Sequence, residues 1–342
     1  MPYSFAIMGC QHGHISTFIE EMTALGHTCV GIYEEGDRKL AKTLSDRYGV
    51  PLVDEKEALL EPSVHIIGSS AINNEKLGIM EWCERHGKHI MLDKPIATNR
   101  EQLQRLEAVI RRGSIQVGML LSERFRPSTN ELKRQIDAGT LGGIVSISLR
   151  KPHRLRADTR PEWHFSRQQS GGIIIDLLIH DFDLLRWLTG REVVTIQSVQ
   201  TKNILPEHPD FYDVASAQVV MEGGIVGQLY TSWHTPDKSW TWGDCRIFVC
   251  GTKGSAELRL NGDPAIAEGE LMFSVTRDEP FRRADMAEVP GTVSADFVNR
   301  IEGKPSVISH RDVLLASQAA VEADENAFAI NNTIDRLDRG NL

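Results

Sequence analysis

Ser4-Phe5-Ala6-Ile7-Met8-Gly9-Cys10-Gln11-His12-Gly13-His14 opens the chain with a short apolar run that ends in a turn containing two glycines. The segment that follows, His14–Ala24, places Ile15, Phe18, Ile19 and Met22 on the i, i+3, i+4, i+7 spacing of a helix with one buried face. A strand, a glycine turn and a helix in that order form the first half of a βαβ unit. Backbone N–H groups at such a turn, with the N-terminus of the helix behind them, receive a pyrophosphate. The turn departs from the Gly-x-Gly-x-x-Gly pattern. Gly9 matches the first glycine, Gln11 and His14 stand where the second and third belong, and Gly13 falls one residue early. The helix is therefore expected to start near Gly13, with His12 or His14 beside the phosphates as a compensating donor.

Working outward, strand and helix keep alternating. Thr28–Tyr33, His65–Gly68, His89–Leu92 and Ile115–Leu120 read as strands, and Arg38–Tyr48, Glu75–His86 and Arg100–Arg111 as helices. This rhythm predicts a doubly wound parallel sheet. Glu34 closes the second strand. A carboxylate there accepts hydrogen bonds from the adenosine ribose and repels a 2′-phosphate, which favours NAD. Arg38 and Lys39 keep NADP open, and Glu35 competes with Glu34 for the ribose.

The rhythm changes after residue 121. A helix over Pro127–Ala138 leads to a strand over Ile144–Arg150, and a helix follows Gly171-Gly172. Then come strands in succession: Val193–Thr201, Val214–Met221, Gly227–Trp233, Cys245–Gly251 and Ser255–Leu260. A helix over Arg311–Ile330 ends the pattern. The expected fold is α/β: an N-terminal Rossmann domain over residues 1–121, then an α+β domain over 122–342 with an open mixed or antiparallel sheet, for substrate binding and oligomerisation.

Composition agrees with a soluble chain of two domains. Net charge is −9, which argues against nucleic acid and anionic membrane surfaces as partners. The N-terminus lacks the basic flank of a signal peptide, and no apolar run reaches the roughly 20 residues of a membrane span. The five cysteines fit neither a disulfide framework nor a zinc pattern, and point to the cytoplasm.

Two motifs carry the chemistry. His89-Ile90-Met91-Leu92-Asp93-Lys94-Pro95 puts a cation at the carboxyl end of a predicted parallel strand, where such sheets bind ligands. Later, Gly171-Gly172-Ile173-Ile174-Ile175-Asp176-Leu177-Leu178-Ile179-His180 sets two polar groups four residues apart on an apolar helix. Such a pair also occurs as a simple helix-stabilising contact, and a lysine before proline also occurs in solvated loops. The two motifs in this order, with Gly251-Thr252-Lys253-Gly254, resemble the Gfo/Idh/MocA family of nicotinamide-dependent sugar and polyol oxidoreductases.

The resemblance implies that Lys94 reaches the reacting hydroxyl and the nicotinamide, that His180 is the general base, and that Asp176 binds the hydroxyl or orients the imidazole. Asp93 replaces the family's glutamate beside the cofactor. The loop Gly68-Ser69-Ser70-Ala71-Ile72-Asn73-Asn74 would flank the cofactor through Ser69, Ser70 and Asn73, although the family's usual proline and histidine are missing there. On the substrate side it points to Arg124, to Trp163 with His164, and to Trp233 with His234. The basic run from Arg150 to Arg160 reads as a solvated loop or as a grip for a carboxylate or phosphate. His12, His14, Asp176, His180 and His164 could ligate a metal chemically, but their spacing matches no zinc motif and no metal is expected. The implied activity is hydride transfer between a sugar, inositol or related polyol and NAD, by a dimer or tetramer. Two alternatives stay open: a glycosidase that retains NAD, and a non-catalytic nicotinamide-binding regulator.

Overall fold

The computed structural model describes residues 2–333. Its first sheet is built from β1 (Ser4–Cys10), β2 (Thr28–Tyr33), β3 (Leu52–Val53), β4 (Val64–Ser70), β5 (His89–Leu92) and β6 (Val117–Met119). The order is β3-β2-β1-β4-β5-β6 and every pairing is parallel. The order reverses between β1 and β4, so the crevice for a ligand opens at their carboxyl ends. Helices α1 (Ile15–Ala24), α2 (Lys39–Tyr48), α3 (Lys76–Arg85) and α4 (Arg100–Arg112) alternate with the strands. Phe5 to Cys10 are all buried, as expected for a central strand covered on both faces. Ile15, Phe18, Ile19 and Met22 form the buried stripe of α1, and Phe18 meets Phe5 edge to face at 5.5 Å. Asn99 caps α4, its side chain accepting the Gln102 N–H at 2.9 Å.

The second sheet follows helix α5 (Pro127–Asp137). It contains β7 (Ile144–Pro152), β8 (Val193–Lys202), β9 (Val214–Met221), β10 (Val226–Ser232), β11 (Arg246–Gly251), β12 (Gly254–Arg259), β13 (Leu271–Thr276), β14 (Arg282–Arg283) and β15 (Phe328–Asn331). The order is β14-β13-β12-β11-β7-β10-β9-β8-β15. Pairing is antiparallel except for β10 with β7 and β15 with β8. Between β7 and β8 run the short α6 (Arg167–Ser170) and the long α7 (Gly172–Thr189). α7 packs closely enough on this sheet that a Cβ added at Gly227 would lie 2.7 Å from Leu185.

The mixed sheet and the parallel sheet are both as expected, but the ends of the second region are not. The expected terminal helix stops early: α9 covers His310–Glu325, and Phe328 to Asn331 pair with β8 as a strand. A further helix, α8 (Val293–Ile301), was not expected at all. The chain divides into two compact units, the first made of the chain through Leu121 with Gln168–Gly171 and Gly291–Gln318, the second of Ser122–Arg167, Gly172–Pro290 and the chain from Ala319. The simple division 1–121 and 122–342 therefore misses the return of 291–318 to the first unit. Asp296 organises that return from within. Its carboxylate accepts the N–H groups of Val307 and Ile308, closing the loop between α8 and α9. Arg300 donates to the Val117 carbonyl at the edge of the first sheet.

Candidate active site

The glycine turn is bound from both sides. Gly9 has φ +82, and a Cβ there would lie 2.5 Å from Cβ of Ala71, so only glycine fits. Gln11 donates its N–H to the Ser70 carbonyl and its side-chain amide to the Asp37 carbonyl. The carbonyls of the turn are taken: Ser70 Oγ donates to His12 O at 2.8 Å, and Ser16 Oγ to Gly13 O at 2.9 Å. The N–H groups of His12, Gly13 and His14 make no hydrogen bond among the described residues. Free donors in front of a ten-residue helix fit an anion such as a dinucleotide pyrophosphate. α1 begins at Ile15, two residues later than expected.

His12 and His14 do not simply point toward a ligand. Nδ1 of His12 lies 2.9 Å from one oxygen of Asp93, and Nδ1 of His14 lies 3.0 Å from the other. The Asp93 carboxylate is 2% exposed. Burial first, then His14, push His12 down to about 4, against the pull of Asp93. Burial opposes the charge on Asp93, but His14, Lys76 and His12 outweigh it and hold the carboxyl well below its usual range. Held neutral, His12 lacks the second ring proton that the expected role as a donor to the phosphates would use. The three groups lie within 4.8 Å of one another. A hydrogen bond from His14 and a close polar contact from His12, to separate oxygens of one carboxylate, account for that closeness.

Glu34 is buried, and its carboxylate accepts the N–H groups of Cys10 and Gly36. It thus braces the turn from the end of β2. Arg38, the residue that kept NADP open, donates to the Glu34 carbonyl at 2.8 Å and to Asp54 at 2.7 Å. Ser69, Ser70 and Asn73 sit one layer deeper than expected. Both serines are fully buried; Ser69 Oγ accepts the Ala71 N–H at 3.3 Å. Asn73 donates to the Ser170 carbonyl and accepts from Lys76. Their hydroxyl and amide groups hold loops together rather than facing a ligand.

Lys94 is buried at the end of β5. Beneath it lies Lys76, which sequence reasoning missed. This lysine has no exposed surface, and Nζ donates to Asn73 Oδ1 at 2.8 Å, to the Lys94 carbonyl at 3.2 Å and to the Pro95 carbonyl at 3.1 Å. Three acceptors satisfy a buried ammonium and pin the loop that carries Lys94. The only hint in the sequence is a lysine at the first position of a helix whose next turn is apolar.

In the second unit, α7 is buried at every position from Ile173 to Arg186 except Asp176 and His180. The i, i+4 spacing puts these two on one stripe, so the helix offers a single polar face. Asp181 and Asp183 point elsewhere. Asp181 pairs with Lys151 at 2.9 Å, and Lys151 reaches Glu123 at 3.3 Å. Burial opposes the charge on Lys151, but Asp181 and Glu123 raise it above the ordinary lysine range. Burial also opposes the charge on Glu123, where Lys151, Arg126 and His180 together hold the carboxyl at about 2.

Arg124, expected at the substrate, is 2% exposed, and Asp183 accepts from its Nε at 2.9 Å and Nη2 at 2.6 Å. This fork-to-fork pair occupies the guanidinium inside the unit, so its role is structural. Trp163, His164 and Trp233 are all buried and joined: the His164 ring is 5.8 Å from Trp163 and 5.1 Å from Trp233, both edge to face. His234 is tied by Nε2 to Asp213 at 2.8 Å. The basic run is not a solvated loop, since Lys151 and Arg154 are buried. Arg160 stacks on Trp233 at 4.7 Å.

Comparison with known proteins agrees with this geometry. Residues 3–120 match the model of an oxidoreductase family with an NAD-binding Rossmann fold, and residues 129–257 match the Gfo/Idh/MocA C-terminal domain. A myo-inositol dehydrogenase of Streptomyces leeuwenhoekii is 26% identical over 77% of this chain and 79% of its own. The scyllo-inositol 2-dehydrogenase (NAD(+)) of Bacillus subtilis is 30% identical over 59% of this chain and 57% of its own. A crystal structure of an oxidoreductase from Erwinia carotovora atroseptica shares the fold with TM-score 0.86 at 24% identity, covering 96% of this chain and 99% of that one. Two matched models spanning more than two thirds of the residues, a Rossmann sheet with its glycine turn, and a mixed sheet behind α7 lead to one assignment: the chain belongs to the Gfo/Idh/MocA family of oxidoreductases, with NAD as its cofactor.

Proposed function

We propose that the protein oxidises a secondary hydroxyl of a sugar, inositol or related polyol, with NAD preferred over NADP. The observation that carries this reading is α7, buried from Ile173 to Arg186 except at Asp176 and His180, which share one face of the helix. NAD, when bound, accepts the hydride. The residues of the chain must then handle the proton and the charge. His180 takes the hydroxyl proton as the hydride leaves carbon. Asp176, one helical turn away, orients the imidazole or accepts from a neighbouring hydroxyl. The Lys94 ammonium stabilises the developing alkoxide. The free amides of His12, Gly13 and His14 receive the pyrophosphate, and Glu34 faces the ribose.

The inositol dehydrogenases among its relatives support the polyol class. A homo-oligomer, dimer or tetramer, is part of the same reading, supported by exposed Phe248 and Phe328 on the second sheet and exposed Phe281 just before β14. So is a cytoplasmic location, supported by five free cysteines. Among the described residues no helix is long and apolar enough to cross a membrane. The test is formation of NADH from NAD with a panel of inositols, aldoses and sugar acids. Turnover with one of them, lost in His180→Ala, is the expected result. No turnover with any would refute it.

A further inference from the structure

The segment Arg150–Arg160 holds four arginines and a lysine against a single acid, Asp158, in a chain of net charge −9. Three of those arginines gather on two indole rings. The guanidinium carbon of Arg160 lies 4.7 Å from Trp233 and 5.8 Å from Trp242. Those of Arg156 and Arg154 lie 5.6 and 6.0 Å from Trp242. Among the described residues none of the three is in an ion pair with a carboxylate. The donors that are used go to carbonyls: Arg154 Nη2 to Ser239 and Thr241, Arg160 Nε to Leu155.

These contacts fix the planes of the guanidiniums and leave N–H edges uncommitted. A solvated loop needs none of this. Arg156 also holds φ +49, a left-handed conformation that disfavours a side chain, with its carbonyl closed onto Thr159. Such an outlier is kept where the position of the residue matters. A second observation comes from Trp163, which is 8% exposed. Its indole N–H is buried and has no hydrogen-bond partner among the described residues. A buried donor without an acceptor is unfavourable until a ligand oxygen reaches it. Trp163 joins the same cluster through His164 and Trp233.

We propose that Arg156 and Arg160, with Trp163, Trp233 and Trp242, form a subsite for an anionic group, a carboxylate or a phosphate ester, carried by the sugar or polyol substrate. The inference rests on the dehydrogenase reading above and narrows its substrate class. Planar forks match the paired oxygens of carboxylate and phosphate. Indole faces pack on the apolar face of a sugar ring. A neutral polyol would desolvate these cations without compensating them. An acidic protein repels anions at long range, so a local cationic surface is needed to bind one. Asp176 is the acid whose charge acts on Arg160, which puts the subsite in electrostatic reach of the polar stripe on α7.

Glucose, glucuronate and glucose 6-phosphate serve as neutral, carboxylate and phosphate probes, titrated into the full-length protein with NAD present and followed by tryptophan fluorescence. The wild type should bind at least one anionic probe about tenfold or more tightly than glucose, and the two anions distinguish the sources. Arg156→Gln, at an exposed position, should remove most of that preference. Arg160→Lys keeps the charge but not the planar fork and should weaken it too. Equal binding of all three probes, or an unchanged preference in both variants, would overturn the proposal. NADH absorbance read in the same samples reports on the dehydrogenase reading separately: anion-selective binding with no turnover on any hydroxyl substrate would sink that reading and leave the anion subsite standing.

Discussion

Oδ2 of Asp93 lies 2.9 Å from Nδ1 of His12, a contact that ties the strand end bearing Lys94 to the glycine turn. His14 takes the other oxygen. One carboxylate thus sets the shape of the turn where two glycines of the usual pattern are missing. Asp93→Asn keeps one acceptor and turns the other into a donor, so one imidazole loses its partner. The affinity for NAD should fall about tenfold while the fold is retained, the scale of one hydrogen bond to a charged group. Fluorescence titration decides it; a change below about twofold would show that the clasp does not shape the cofactor site.

His12 also gives a pH signature. It is held down to about 4, below the ~6.5 of an unfolded chain. On acidification the unfolded state takes up this proton first. The contribution of neutral His12 is therefore complete above about pH 6.5 and is lost as pH falls toward 4. Urea midpoints measured from pH 7 to pH 4 should drop less steeply in His12→Gln than in the wild type. Equal slopes would mean that His12 titrates alike in both states.

Lys94→Ala and His180→Ala should each bind NAD with little change and lose about 100-fold or more in kcat, the range for electrostatic and acid–base groups. Stopped-flow and steady-state assays separate the two effects. Near-normal turnover in either variant would remove that residue from the mechanism.

Glu34 should enforce the preference for NAD over NADP. In Glu34→Ala the repulsion of a 2′-phosphate is gone, so the ratio of NADP to NAD affinity should rise about tenfold or more. Binding of both will weaken, because Glu34 also braces the N–H groups of Cys10 and Gly36. Tighter NADP binding in the wild type would contradict the ribose role.

Lys151→Met should destabilise the protein by about 3–5 kcal/mol, since it leaves Asp181 buried, and Glu123 half-buried, without their shared cation. Urea denaturation checks this, and a loss under about 1 kcal/mol would show that the carboxylates find other partners.

Local pattern was enough to read the parallel sheet, the glycine turn, Glu34 at the end of β2, Lys94 at the end of β5 and the Asp176–His180 stripe. Each depends on spacing within a few residues: apolar runs for buried strands, i, i+4 for one helix face, a glycine where φ must be positive. What the sequence could not reveal are relations between residues far apart along the chain. Asp93 reads as an acid beside the cofactor until the fold brings two imidazoles to its oxygens. Arg124 reads as a residue for substrate until Asp183 takes its guanidinium. Lys151 reads as part of a solvated basic run and Lys76 carries no signal at all, yet both are buried, because several distant acceptors converge on each ammonium. Ile330 continues a helical pattern but lies in a strand, since the open edge of β8 gives Phe328 to Asn331 backbone partners that a frayed helix end lacks. Periodicity records which face of an element is buried; only the tertiary structure decides which polar groups find each other inside.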